Sequence, residues 1–289
     1  MSTHDFAPRT IGELLDEAIA LVVTNWRSVL ALAAVVVLPV AAAYSVVASF
    51  YLRSFLELIG LASTVASQGP EAFTSTNNAM LVTASLLQGL SLLFTLSRSA
   101  FDATLYANSS ALLQHERVNI RAALSAGMKM LLPVIAVQLI VGTVSGIAGV
   151  ISLGIGSVVL ATLWSVAYPA VVLEGGIGNA IKRSYRLVRH HFWRVLLVTI
   201  AIGLLAGQFE SALAAPTIVR EIVTGVTAPT ALLGQIPWGW KVFDGLAQGI
   251  AIALVLPFTT SATLLNYLDL RARDEGMDLI VRARGLLPG

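Results

Sequence analysis

Long apolar runs alternate with shorter stretches in which apolar and polar residues are interleaved, and the two patterns predict two kinds of helix. Crossing about 30 Å of hydrocarbon takes about 20 predominantly apolar residues. Runs of that length cover Ser28 to Leu52, Met80 to Phe101, Val195 to about Pro216 and Gly245 to Leu268. Met130 to Leu173 is uncharged and too long for one crossing, so it must fold back. The glycines at Gly149, Gly154 and Gly156 supply the reversal, because glycine tolerates the positive φ that tight turns need. Six spans result, with Pro39, Pro169 and Pro257 inside them as expected kink points.

The interleaved stretches precede the odd-numbered spans. Ile11, Leu14, Leu15, Ala18, Ile19 and Val22 recur at the spacing of one helical face, opposite Glu13, Asp16 and Glu17. Thr10 with Glu13 three residues on predicts a capping box at its start. Ile120, Ala123, Leu124, Gly127 and Met128 repeat the spacing, as do Ile177, Ala180, Ile181, Ser184 and Tyr185. Each copy runs into a span through aromatic or basic residues: Trp26 and Arg27, Lys129, and Phe192 to Arg194. Such helices are expected to lie in the plane of the headgroups. The fold class is therefore an all-α polytopic membrane protein: six transmembrane helices plus three cytoplasmic-side amphipathic interfacial helices, in three interfacial-helix-plus-hairpin repeats. The repeat units cover residues 10–112, 117–174 and 176–270 of one integral membrane domain, 1–289, with a cytoplasmic tail at 271–289.

Charge sets the orientation. Fourteen lysines and arginines flank the span ends on one side, only Arg53, Arg220 and Lys241 lie on the other, and Arg98 falls within a span. Short cytoplasmic loops carry the basic excess, so both termini are expected in the cytoplasm. The 56% hydrophobic content, 12% charged content and mean hydropathy of +0.82 agree with a chain solvated largely by lipid. The net charge of +2 does not indicate a nucleic-acid partner, because the cations sit at span ends. With no cysteine, disulfides, thiolate metal sites and thiol nucleophiles are excluded. Acidic residues among the first 28 do not fit a cleaved signal peptide, and the arginine-rich basic set suggests a bacterial source, hence the inner membrane.

Four blocks, Tyr168-Pro-Ala-Val-Val-Leu-Glu174-Gly-Gly, Ala180-Ile-Lys-Arg-Ser184-Tyr-Arg-Leu187, His191-Phe-Trp193-Arg-Val and Tyr267-Leu-Asp269-Leu-Arg271-Ala-Arg-Asp-Glu-Gly276-Met-Asp278-Leu, resemble a broad prokaryotic membrane family. That family is labelled after the membrane domain of glycerophosphoryl diester phosphodiesterase. The resemblance implies a six-span helical domain of unassigned activity. It implies no phosphodiesterase chemistry, which in fused members belongs to a separate soluble barrel that this chain lacks.

Candidate chemistry is sparse. Lys182, Arg183, Arg186 and Arg189 form the densest basic patch and could hold the phosphates of anionic lipids, although the same residues serve topology. Arg98 and Asp102, spaced i, i+4 near the end of span two, form a candidate intramembrane polar site. Glu210 and Asp244 would matter to a cation path if they faced one another. Adjacent His190 and His191 point about 100° apart on a helix and do not make a metal pair. Gly142 and Gly146 permit close helix packing. No nucleophile–base pair, phosphate loop or zinc spacing occurs, so no cofactor or catalytic residue is assigned. The expected function is a non-enzymatic scaffold or assistant of a membrane-bound complex, with a transporter or lipid-handling protein as the alternative. Its expected partners are membrane lipids, anionic ones among them, and other membrane proteins or further copies of itself.

Overall fold

The structure is a computed structural model that describes residues 9–62, 70–114, 120–213, 215–216, 219–220, 223 and 238–275, with side chains from 52 to 62, from 70 to 76 and at 120 left aside. The described residues form helices and no strand. In chain order they are α1 (Ile11–Thr24), α2 (Trp26–Val36), α3 (Leu38–Ala62), α4 (Pro70–Ala107), α5 (Ser109–Leu113), α6 (Ile120–Ile151), α7 (Ile155–Leu163), α8 (Ala167–Glu174), α9 (Ile177–Arg189), α10 (Phe192–Leu213) and α11 (Trp238–Glu275). Among the described residues, five stretches are long and apolar enough to cross a membrane: Asn77–Ala107, Arg121–Ile151, Ile155–Glu174, Phe192–Leu213 and Trp238–Glu275. A sixth arises if α1 and α2, bent by 82° at Asn25, count as one. Of the expected tail at 271–289, residues 276–289 lie outside the described residues, as do residues 224–237.

The chain divides into two compact units. The first comprises Met1–Leu32, Ser99–Ala206 and Leu256–Gly289, and the second comprises Ala33–Arg98 and Gly207–Val255.

In the first unit, α1 begins as its sequence requires. Thr10 Oγ1 accepts from the Glu13 amide at 3.3 Å, and the Thr10 amide donates to Glu13 Oε2 at 2.7 Å, closing the capping box. Leu14 and Ala18 are buried against Val198 of α10 and Phe258, Ala262 and Leu265 of α11. The apolar face of α1 is thus met by neighbouring helices, where the sequence pattern placed lipid headgroups. The second expected interfacial helix, over 120–129, is not a separate element. It runs without interruption into α6, since no glycine or proline punctuates Met128 to Leu132 and Pro133 is accommodated inside the helix.

The reversal between α6 and α7 falls within the glycine passage. Gly154 caps α7 with φ +95°, and its amide donates to the Gly149 carbonyl at 2.7 Å. At the end of α8, Gly175 and Gly176 take φ values of +76° and +77° in succession. Side-chain-bearing residues rarely adopt that region, so this pair permits the turn into α9. The α7–α8 break precedes Pro169. There the Ala167 amide donates to Trp164 at 3.0 Å and no longer to Leu163, and Ser184 of α9 donates to the freed Leu163 carbonyl at 2.9 Å. A buried carbonyl left unpaired would cost about 1–3 kcal/mol, so this hydroxyl ties α9 to the break.

In the second unit, α11 packs closely on α3. A Cβ at Gly249 would lie 2.5 Å from the Ala42 Cα, and one at Gly245 would be 2.6 Å from the Val46 amide nitrogen. These two glycines, four apart, pack against two residues four apart on α3. Gly142 and Gly146, expected to serve close packing, have open space where a Cβ would go. Tyr44 stacks on Phe94 with ring centroids 5.4 Å apart.

Candidate functional site

Two clusters of charge meet at the last turns of α11, which remains helical through Glu275 and so takes in the first residues of the expected tail. The first surrounds Asp269, which is 0% exposed. Its carboxylate accepts from the Arg9 amide at 2.7 Å, from Arg194 Nη2 at 3.0 Å and from Arg273 Nε at 2.9 Å. Arg194 and Arg273 each donate a second bond, at 2.6 Å, to the Arg9 carbonyl. The main chain of Arg9 is therefore gripped on both sides, while its guanidinium reaches Glu17 of α1 at 2.9 Å. Asp269 and Arg273 share a face because they are spaced i, i+4. Arg194 reaches them from the first turn of α10.

The second cluster joins α8, α9 and α11. Arg183 pairs with both Glu174 and Glu275, at 3.2 Å to Glu174. The Tyr267 hydroxyl donates to Glu174 Oε1. Arg271 lies 3.6 Å from Glu174 and 3.2 Å from Glu275, with its guanidinium 5.8 Å from the Tyr267 ring centroid. Two carboxylates and two guanidiniums satisfy one another, and a buried phenol completes the set.

This arrangement suits fastening. Every carboxylate in it faces at least one guanidinium, and the Tyr267 hydroxyl is engaged as a donor to Glu174. Among the described residues, no three metal-ligating side chains come together, His190 and His191 included. The His190 ring instead accepts from Arg189 Nε at 3.0 Å. A small cavity lined by Val29, Leu32, Leu105, Leu112 and Ala123 has a volume of 20 Å³, room for about one water.

The expected basic patch divides. Arg183 turns to the acidic pair, whereas Lys182, Arg186 and Arg189 stay exposed. Asp102 accepts from Thr260 of α11 at 2.7 Å, giving that carboxylate a hydroxyl partner that the i, i+4 spacing with Arg98 did not foretell. Asp244 pairs with Arg220 at 2.7 Å, and Arg220 also lies 4.8 Å over the Trp240 ring, an arrangement that gives Asp244 a cationic partner in place of Glu210.

Asp269, Arg194, Arg273, Glu174, Tyr267, Arg271 and Glu275 were not singled out for chemistry in the sequence. Their signal is present nonetheless: Glu174, Arg183, Arg194, Tyr267, Asp269, Arg271, Arg273 and Glu275 all lie within the four blocks that carry the resemblance. The structure brings residues of all four blocks together.

No protein-family model, curated protein or solved structure matches this chain. The fold and the paired charges of the site therefore carry the functional argument unaided.

Proposed function

We propose that the chain is a non-enzymatic multi-pass protein of the bacterial inner membrane, with six spans and both termini in the cytoplasm, that scaffolds or assists a membrane-bound complex. The observation that carries this reading is the mutual pairing of Glu174, Arg183, Arg271 and Glu275 beside the Asp269 cluster. These groups fix α1, α8, α9, α10 and α11 to one another and leave the outer face of α9 as a presented surface. A rigid surface on the cytoplasmic side is what a scaffold needs. Three interfacial-helix-plus-hairpin units remain the proposed organisation, with the second interfacial helix fused to its span.

Extraction in a mild detergent followed by crosslinking and mass spectrometry is expected to recover the chain with one accompanying membrane protein in constant ratio across preparations. Recovery as a stable monomer, with nothing in fixed ratio, would count decisively against scaffolding. The second reading, a lipid-handling protein or transporter, is favoured by the polar contact of Asp102 with Thr260 between two apolar helices. Loss of solute or lipid movement in vesicles on Asp102→Asn would move the conclusion to it.

Because the chain has no cysteine, orientation is testable with single introduced thiols. A cysteine replacing His190 is expected to react with an impermeant maleimide only after the cells are opened. One replacing Lys241 is expected to react in intact cells. The reverse pattern would invert the proposed topology.

A further inference from the structure

The cations of α9 that the acidic cluster leaves over are arranged more narrowly than topology requires. At about 100° per residue, Lys182, Tyr185, Arg186 and Arg189 fall within an arc of about 100°. The buried residues Ala180, Ser184, Leu187 and Val188 fill an arc of similar width on the opposite side, packed on α6, α7 and α8. Arg183 lies between the two arcs and is drawn to Glu174 and Glu275. The Gly175–Gly176 turn, the Ser184 bond to Leu163 and the Arg183 pairs together fix the rotation of the helix, so the cationic arc has a set direction.

Neutralisation around this arc is uneven. Arg9, Arg183, Arg194, Arg271 and Arg273 all face carboxylates. Lys182 and Arg186, four residues apart, make no ion pair among the described residues, and Arg189 bonds only to the His190 ring there. Side chains at i and i+4 stand about 6 Å apart at Cβ, close enough for a lysine and an arginine to hold one phosphate group between them. The arc is also flanked by aromatic residues of the kind found at headgroup depth: Tyr185 is 46% exposed, and Trp193, in the first turn of α10, is 74% exposed. α9 connects the end of one apolar stretch, at Glu174, to the start of another, at Phe192, which places it level with the headgroups.

We infer that this face of α9 is a binding site for the phosphate of anionic phospholipids, with Lys182 and Arg186 as the principal clamp, Arg189 as a third cation and the Tyr185 hydroxyl as a neutral donor. Setting membrane orientation requires basic residues only somewhere in the loop. It requires neither their alignment on one arc nor the diversion of the fourth cation away from it.

Native mass spectrometry on the purified full chain, titrated with phosphatidylglycerol or phosphatidylcholine, tests the site. The wild-type protein is expected to retain phosphatidylglycerol, and K182Q/R186Q is expected to bind it roughly 30-fold more weakly, from the contribution of two cations near an anionic surface. Phosphatidylcholine binding should be the same in both. A charge-matched control, R27Q/K129Q, removes two exposed cations elsewhere at span ends and should leave phosphatidylglycerol retention unchanged. An equal loss in that control, or no loss in K182Q/R186Q, would overturn the site. Inorganic phosphate in large molar excess is expected not to displace the lipid, and displacement would assign the clamp to a free anion. All four substituted residues are exposed, so unchanged melting temperatures will confirm that the variants are folded. The assay uses the isolated chain, so its outcome stands apart from the search for an accompanying protein.

Discussion

Replacing Asp269 by alanine is expected to destabilise the protein by about 3–5 kcal/mol, the cost of breaking a buried ion pair by removing one partner. The carboxylate is wholly buried and opposes two guanidiniums, Arg194 at 3.0 Å and Arg273 at 2.9 Å. Without it, two cations stay side by side and the Arg9 amide loses its acceptor. Asp269→Asn is expected to fall between, since an amide keeps the shape and one acceptor oxygen but not the charge. Thermal unfolding of the detergent-solubilised protein, followed by tryptophan fluorescence, reads both. A double variant, Asp269→Ala with Arg273→Ala, should recover part of the loss, because one of the stranded charges is then gone. Equal melting temperatures for wild type and Asp269→Ala would show that the cluster is an incidental surface contact.

Gly249→Leu is expected to have the next largest effect. The nearest atoms to the added Cβ are the Ala42 main chain, with Cα at 2.5 Å, so no side-chain rotation relieves the overlap and α11 must separate from α3. Overpacking of this kind costs about 1–3 kcal/mol, and more when the obstruction is backbone. Gly249→Ala should already be measurable. The informative control is Gly142→Ala with Gly146→Ala, where open space awaits both methyl groups and the change should be within about 0.5 kcal/mol. In membranes, helix association relies on such close contact because lipid supplies no hydrophobic drive between helices. Equal stability of the two variants would refute the assigned packing.

The contrast between these glycine pairs shows how much the sequence disclosed. Both are spaced i, i+4 in apolar surroundings, and spacing alone cannot say which one meets a neighbour. The choice depends on which face of α11 turns toward Ala42 and Val46, a tertiary fact. The apolar runs, the capping box at Thr10 and the reversal near Gly154 were legible because each rests on residues within a few positions of one another. The fusion of the second interfacial helix to α6 was not, because an amphipathic spacing looks the same whether or not the helix stops. For the charged site, residues such as Glu174 and Tyr267 stood within recognisable blocks, yet their pairing spans 93 positions of chain and has no local signature. The basic patch reads in the sequence as four equivalent cations, and the pairs with Glu174 and Glu275 set Arg183 apart from the rest.

The grip on Arg9 has a consequence of a different order. Asp269, Arg194 and Arg273 hold the amide and carbonyl of that residue, groups that every residue but proline possesses. Position 9 is thus read by its presence and not by its identity. Exchange of its side chain gives up the contact with Glu17 but keeps these main-chain bonds, whereas shortening the chain past this point would leave a buried aspartate and two arginines addressing a residue that is no longer there. Such a requirement leaves almost no trace in an amino-acid alphabet. It would register as a tolerance for substitution beside an intolerance for truncation.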